Sequence, residues 1–462
     1  MEALFIRTSY YSEDSHPENV RASLDIGYSA SILEDKGFEI SFIDMKAEDY
    51  TKEEIIKEVK DEKYDVVFLK IQTPCVEVSK DIASNIEDST VFAFVQHPTE
   101  IPETFLYEDS PFDACIRGEL EPAVEKIGEK IGEKDFYRDI DGVTYFEGGD
   151  VEKGDVLKVE DLDELPLPKH DLFLNDNYGD ILPMDIDQGN AQYGYILTSR
   201  GCPFQCIYCS PTLRVTYGKK MRYRDPESVV DEMEYLVKKG VDAIAIKDDM
   251  FTFSPEHVEE ICDEIIDRGL EVTWFAQTRA DSVSKELFEK MKEAGCSTVG
   301  IGVESGSPRI LDILKKGETK KDVRDAFKYA RMAGINTVGY FMLGNPTETK
   351  KEMKQTLKFC KELRPDMIQV AFFTPYPGSN SYEEYVEKGS IKPENYHHYN
   401  TVTRNVSDVS DKELRRFQKR FYISYALSIG FIANFFKRKI SNPLDISNEK
   451  MYIKKGLKML FN

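Results

Sequence analysis

Three cysteines, Cys202, Cys206 and Cys209, fall within eight residues in the stretch YILTSRGCPFQCIYCS, residues 195–210. Thiols set this close form a metal-ligand set, or a disulfide with one left over. A structural zinc site wants four ligands, usually as two separated pairs, and here no histidine lies near and no second pair exists. A disulfide is disfavoured by the odd count and by a chain with no cysteine framework. The third reading is a 4Fe–4S cluster held by three thiolates, which leaves one iron without a protein ligand. An open metal position is what a catalytic centre needs and a structural one avoids, so the cluster is the favoured reading. The remaining cysteines (Cys75, Cys115, Cys262, Cys296, Cys360) are scattered singly and read as small buried hydrophobes.

The elements around the triplet repeat one grammar. Asp225-Pro226, Ser254-Pro255, Ser284 and Thr319 each open a helical stretch, and Gly240, Gly269, Gly295 and Gly334 each stop one before an apolar, strand-like run. A last helix is expected from about Thr347, before MIQVAFF. With the strand ahead of the cysteines this makes six βα-type units, too few for a closed eight-stranded barrel. In such barrels chemistry lies at the carboxyl ends of the strands, where the cysteines are. The first 130 residues also alternate strand-like runs (ALFIRTS, FEISFID, DVVFLKI, STVFAFV, DACIRG) with helical spacing such as Val20 to Lys36. They predict a doubly wound parallel sheet. Between the two lie a hairpin turning at Gly148-Gly149 and an acidic, proline-bearing arm. The fold class is thus α/β: a Rossmann-like domain over 1–130, a connecting hairpin and linker over 131–190, a partial (β/α)6 barrel over 191–390 and a basic, mostly helical region over 391–462.

The cysteine spacing, with Tyr208 as the aromatic before the last thiol, resembles the radical S-adenosylmethionine (SAM) enzymes. The resemblance continues strand by strand from about Tyr193 to Asn380. It runs through Asp248-Asp249 in IKDDMFTF, Arg279 in FAQTRAD, Glu304 in GVESGS, Gly344 and Pro346 in GYFMLGNPTET, and FFTPYPGSN. It implies that the three cysteines hold the cluster and that SAM chelates the open iron. The sulfonium is then cleaved by one electron into methionine and a 5′-deoxyadenosyl radical. By the same resemblance Asp248-Asp249 meet the SAM amino group, Glu304 the ribose, and Gly344 and Pro346 the adenine, with Tyr208 and Arg279 also at the cofactor.

A doubly wound domain ahead of such a barrel resembles the cobalamin-binding branch of the family, on GYSASILEDKGFEISFID, QHPTEIPETF, IRGELEP and DLDELPLPKHD. The chain departs from that branch at Phe94 and Val95, where relatives often carry paired glycines, and at DSHPEN, where Asn19 replaces the glycine of a motif in which His16 would be a lower axial ligand. The resemblance implies cobalamin between the domains. The leading reaction is methylation of an unactivated carbon, cobalamin relaying a methyl group from one SAM while a second supplies the radical. Cobalamin-free carbon–carbon coupling or cyclisation is the enzymatic alternative, and a non-enzymatic metal-binding protein the other. A low-potential donor such as ferredoxin or flavodoxin is implied.

The formal charge of −23 disfavours a nucleic-acid partner. It is unevenly spread: from Lys412 onward twelve Lys and Arg face three acids, a net of +9 that leaves −32 on the first 411 residues. The uncharged run Phe421 to Phe436, flanked by RRFQKR and KRK, is too short to span a bilayer. It reads either as an interfacial segment on an anionic membrane surface or as a helix packed on the barrel's open side. The chain begins with a strand-like run and reads as cytoplasmic, with a peripheral membrane contact expected through this region and a small, hydrophobic substrate expected with it.

Overall fold

The computed structural model describes residues 1–9, 20–132, 135–179, 191–209, 215–387, 402 and 405–432. His16 and the basic residues after Ile432 lie outside them.

The first sheet contains β1 (Glu2–Arg7), β2 (Glu39–Asp44), β3 (Val66–Lys70), β4 (Thr90–Phe94), β5 (Ala114–Ile116), β6 (Val143–Glu147) and β7 (Asp150–Glu152), in the order β2-β1-β3-β4-β5-β6-β7. The first five are parallel, and the hairpin β6/β7 adds to the edge antiparallel to β5. Strand order reverses between β1 and β3, so the crevice beyond their carboxyl ends is the natural ligand site of the sheet. Apolar cores lie on both faces, with Phe5, Phe68 and Phe92 stacked on one and Leu4, Val67 and Leu69 on the other. Near-continuous apolar runs in these strands follow from that double burial.

The helical spacing from Val20 yields a helix only from Leu24 to Asp35. The preceding residues are held by strand ends instead: Arg7 Nη1 donates to the Arg21 carbonyl at 2.6 Å and Lys70 Nζ to Ser23 Oγ at 2.9 Å. The acidic arm is irregular, as expected of a connector, but it is packed rather than loose. Leu162, His170, Phe173 and Tyr178 are buried, and the Lys169 N–H donates to the Gly27 carbonyl at 2.9 Å.

The second sheet is all parallel, in the order β15-β14-β13-β12-β11-β8. Its strands are β8 (Tyr193–Ile196), β11 (Ala243–Ile246), β12 (Trp274–Thr278), β13 (Cys296–Glu304), β14 (Asn336–Leu343) and β15 (Met367–Phe372). A two-stranded ribbon of β9 (Ser199–Arg200) and β10 (Arg222–Tyr223) follows β8. The cap residues do what their chemistry predicts: Asp225, Ser254, Ser284 and Thr319 each accept a backbone N–H in the first turn. The last barrel helix starts at Lys350, not near Thr347, because Thr349 and Glu352 close a capping box there.

The helix Asp411–Ala426 packs beside the helix Lys350–Leu363 at the β15 edge of the second sheet. Its Leu414, Phe417, Phe421 and Tyr425 enter the main core. Two of its side chains also complete β15, the edge strand: the Val370 N–H donates to Tyr422 Oη at 2.9 Å, and Gln418 Nε2 donates to the Val370 carbonyl at 2.7 Å.

Candidate active site

The ribbon β9/β10 brings the two ends of the cysteine-bearing segment together at a narrow neck, Arg222 opposite Arg200. Gly201 stands at that neck with φ 109°, and a Cβ there would run into the Lys220 carbonyl, so only glycine fits. The Cys202 N–H donates to the Gly218 carbonyl at 3.0 Å, and the Ile207 N–H to the Leu314 carbonyl at 3.1 Å. All three thiols are free; Cys202 and Cys206 are buried and Cys209 is half-buried. Burial pushes the Cys202 and Cys209 thiols up, and the neighbouring sulfurs and Asp249 push them further. Among the described residues no three His, Cys, Asp or Glu side chains converge on one point, as a single-ion site would need. A cubane instead takes each thiolate on its own iron. Mutually destabilised thiols on one loop suit that cationic partner, so the donor set fits a cluster.

Arg279, just after β12, reaches this loop. Its Nη1 lies 3.9 Å from Cys206 Sγ, and its guanidinium stacks 3.8 Å from the centre of the Phe204 ring. Asp281 accepts from its Nε and Nη2 at 2.9 and 2.8 Å, and the Lys316 carbonyl from Nη2 at 2.7 Å. At the end of β13, Glu304 has φ 57° beside a register shift. Such backbone in a non-glycine residue marks a place the surroundings over-determine. Tyr208 Oη donates to Glu304 Oε1 at 3.0 Å, and Lys316 Nζ lies 3.4 Å from the same atom. Burial opposes the charge of Lys316, yet Glu304 and Glu318 outweigh it and raise its pKa.

The two aspartates after β11 differ. Asp248 accepts from Thr198 N at 2.7 Å, and from Thr198 Oγ1 and Ser199 Oγ at 2.6 Å each. It pins the chain entering the cysteine loop. Asp249 makes no hydrogen bond among the described residues, and burial with the neighbouring Asp248 charge raises its pKa to about 8. Gly344 and Pro346 are buried after β14, where Leu414 of the C-terminal helix lies against Gly344. Beside them Glu348 is fully buried with one oxygen unpartnered among the described residues, and burial raises its pKa to about 8.

The first sheet's carboxyl edge meets this site. Arg7 Nη1 donates to Asp44 Oδ2 at 3.0 Å and Lys70 Nζ to Asp25 Oδ1 at 2.7 Å. Buried His97 lies 3.2 Å from both Thr73 and Thr104 hydroxyls, and burial, helped by Lys80, lowers its pKa to about 4. Tyr217 of the cysteine loop feels both Asp25 and Asp249, one from each domain. An edge whose charges are paired off and whose histidine is neutral suits a bulky, amide-rimmed ligand such as cobalamin. Val95 keeps φ 80° in place of a glycine.

Lys316, Glu318, Thr198, Ser199, Phe204 and Asp281 escape sequence reading. Lys316 in LKKGET resembles any surface lysine; only TSRGC, abutting the first cysteine, offered a local signal for the pegs of Asp248.

The sequence matches the Radical SAM superfamily over residues 196–360 and the B12 binding domain over residues 20–128. It is 32% identical over 415 residues to an uncharacterized methyltransferase of Pyrococcus horikoshii, with 87% of each chain covered. It is 27% identical over 419 residues to the anaerobic magnesium-protoporphyrin IX monomethyl ester cyclase of Rubrivivax gelatinosus, covering 87% of this chain and 73% of that one. The fold is similar to that of the radical SAM methyltransferase TsrM of Kitasatospora setae, solved with cobalamin and a [4Fe–4S] cluster. That match has a TM-score of 0.67 and 18% identity, over 85% of this chain and 79% of that one. Two domains in this order, and a methyltransferase relative matched over nearly its whole length, place the chain in the cobalamin-dependent radical SAM methyltransferase family, whose cofactors are a 4Fe–4S cluster, S-adenosylmethionine and cobalamin.

Proposed function

We propose that this enzyme methylates an unactivated carbon of a small hydrophobic molecule. The observation that carries the reading is the junction of the two domains beside the thiols: Arg200 donates to Glu121 at 2.7 Å and lies 5.2 Å from the ring centre of Tyr28, both in the first domain, and 5.3 Å from that of Tyr217 in the cysteine loop. When bound, the cluster and SAM supply a carbon-centred radical, and cobalamin a transferable methyl group. Cys202, Cys206 and Cys209 hold the cluster and leave one iron for SAM. Asp249 accepts from the SAM ammonium, and Lys316 holds its carboxylate. Glu304, set by Tyr208, takes the ribose hydroxyls; Gly344 and Pro346 flank the adenine. Arg279 stabilises the Cys206 thiolate, and Asp248 holds the entry to the loop. Electrons come from a low-potential ferredoxin or flavodoxin.

The experiment uses anaerobic protein reconstituted with cluster and hydroxocobalamin, given methyl-deuterated SAM, dithionite and a lipid extract. Methylation leaves S-adenosylhomocysteine from the methyl donor and 5′-deoxyadenosine from the radical source, in equal amounts per labelled product. 5′-Deoxyadenosine together with a new, unlabelled product and no S-adenosylhomocysteine would establish cyclisation or coupling, the second reading, which the cyclase relative favours.

A hydrophobic substrate accords with the C-terminal helix. Arg416, Lys419 and Arg420 line a shallow groove with Ile423 and Leu427, and Leu427 and Ile429 are 73% and 86% exposed. No described helix is long and apolar enough to cross a membrane. The pattern supports peripheral contact with anionic lipid. Flotation with phosphatidylglycerol vesicles at low salt tests it, and absence of binding there removes it.

A further inference from the structure

The cysteine loop is fastened from outside its own domain. Arg200 and Arg222 face each other across its neck, and both meet carboxylates just after β5, Glu119 in the turn and Glu121 at the start of the next helix. Arg200 Nη2 donates to Glu121 Oε1 at 2.7 Å. Arg222 grips Glu119 with both arms of its fork, Nη2 to Oε1 at 2.6 Å and Nη1 to Oε2 at 3.0 Å. All four side chains are buried. The Arg200 guanidinium also lies between two rings, 5.2 Å from the centre of Tyr28 in the first domain and 5.3 Å from that of Tyr217 in the loop.

The turn that offers the carboxylates is itself fixed. Gly118 has φ 90° with the Leu157 backbone where a Cβ would be, the Glu119 N–H donates to the Leu157 carbonyl at 2.9 Å, and the Val159 N–H donates to Glu119 Oε2. From the loop side, Arg222 Nη2 donates to the Tyr217 carbonyl at 2.9 Å. Two cations and two anions balance, yet Arg200 Nη1 and Arg222 Nε have no hydrogen-bond partner among the described residues. Apolar contacts would join two domains with less desolvation. What buried forks add is a fixed orientation, and they add it at the two residues that bracket the thiols.

We propose that Arg200, Arg222, Glu119 and Glu121 are positioning residues that make the first domain a wall of the cysteine loop, so that the thiols hold their ligating arrangement only while this clasp is closed. The inference rests on the three cysteines being the cluster's ligands.

The test is site-resolved alkylation of the full-length, cluster-free chain with iodoacetamide under anaerobic, reducing conditions, read by peptide mass spectrometry. Cys262, Cys296 and Cys360 are buried in barrel helices and a strand away from the neck and report global opening. In Glu119→Gln, and in Arg222→Lys, which keeps the charge and loses the fork, Cys202 and Cys206 react at least about tenfold faster while the three references keep wild-type rates. Selective acceleration in either variant supports the clasp. Acceleration at all cysteines alike, or at none, in both variants overturns it. Iron and sulfide are measured in parallel on reconstituted wild type. A wild type that takes up none would remove the cluster reading, while the alkylation rates would still decide the clasp.

Discussion

At the carboxyl edge of the first sheet, Arg7 is answered by Asp44 and Lys70 by Asp25, and His97 sits neutral between two threonine hydroxyls. At the barrel's edge, Cys202 and Cys209 are held away from ionisation, and Asp249 is a buried carboxyl with an acidic neighbour. The first edge is electrically complete by itself, as befits a seat for a large ligand of little net charge. The second keeps its thiols and Asp249 largely uncharged until something cationic arrives, and iron and the SAM ammonium are both cationic. Stability and function are therefore divided between the two edges: one spends its charges on folding, the other holds them in reserve.

The comparison can be broken at either edge. The largest effect is at the thiols: alanine at Cys202, Cys206 or Cys209 is expected to abolish the visible absorption of the reconstituted cluster and the production of 5′-deoxyadenosine. Retained SAM cleavage in any of the three would undo the assignment. At the first edge the loss is one of folding. Asp44 accepts from Arg7, Tyr178 and the N–H groups of Lys46 and Ala47, so Asp44→Ala should cost roughly 3–5 kcal/mol in denaturant unfolding. An unchanged midpoint there would mean that the pairing is ornamental.

Asp249→Asn should do the opposite: leave the unfolding midpoint of the cofactor-free chain unchanged or raised, while weakening SAM roughly 10–100-fold by calorimetry. Asp248→Asn, which loosens Thr198 and Ser199, should lower the midpoint instead. The smallest effect sharpens the same point with pH. Glu348 is raised to about 8 by burial. The folded chain thus binds one more proton than the unfolded chain between about pH 4.5 and 8, and stability falls as pH rises through that window. Glu348→Gln should flatten that fall in a series of thermal melts, giving a Tm a few degrees above wild type at pH 8 and little different at pH 5. A parallel slope in the variant would show that Glu348 already ionises without cost.

Much of the fold was readable because its signals are local. An N-cap needs only a hydroxyl or carboxylate within three residues, and Asp225, Ser254, Ser284 and Thr319 all supply one. The cysteine loop was readable for the same reason. What escaped is made by distant partners: Lys316 reaches Glu304 across twelve residues, Thr198 reaches Asp248 across fifty, and Glu119 reaches Arg222 across more than a hundred. Each reads as an ordinary surface residue until the chain is folded. The late start of the first helix is a further case, since Arg7 and Lys70 claim residues whose spacing alone suits a helix. Val95 shows the reverse: the side chain departs from the family pattern, and the backbone keeps the glycine-type conformation.

A sheet that stops at six strands has a terminal strand, and a terminal strand can recruit another chain by edge pairing. At Val370, midway along β15, Tyr422 and Gln418 occupy both backbone groups, while Phe421 and Tyr425 anchor the same helix in the core. The helix that carries the basic groove is thus also the protein's protection against aggregation. Any event that lifted it away, whether cleavage of the chain or too strong a pull from a charged surface, would expose both the apolar core and an unpaired β edge.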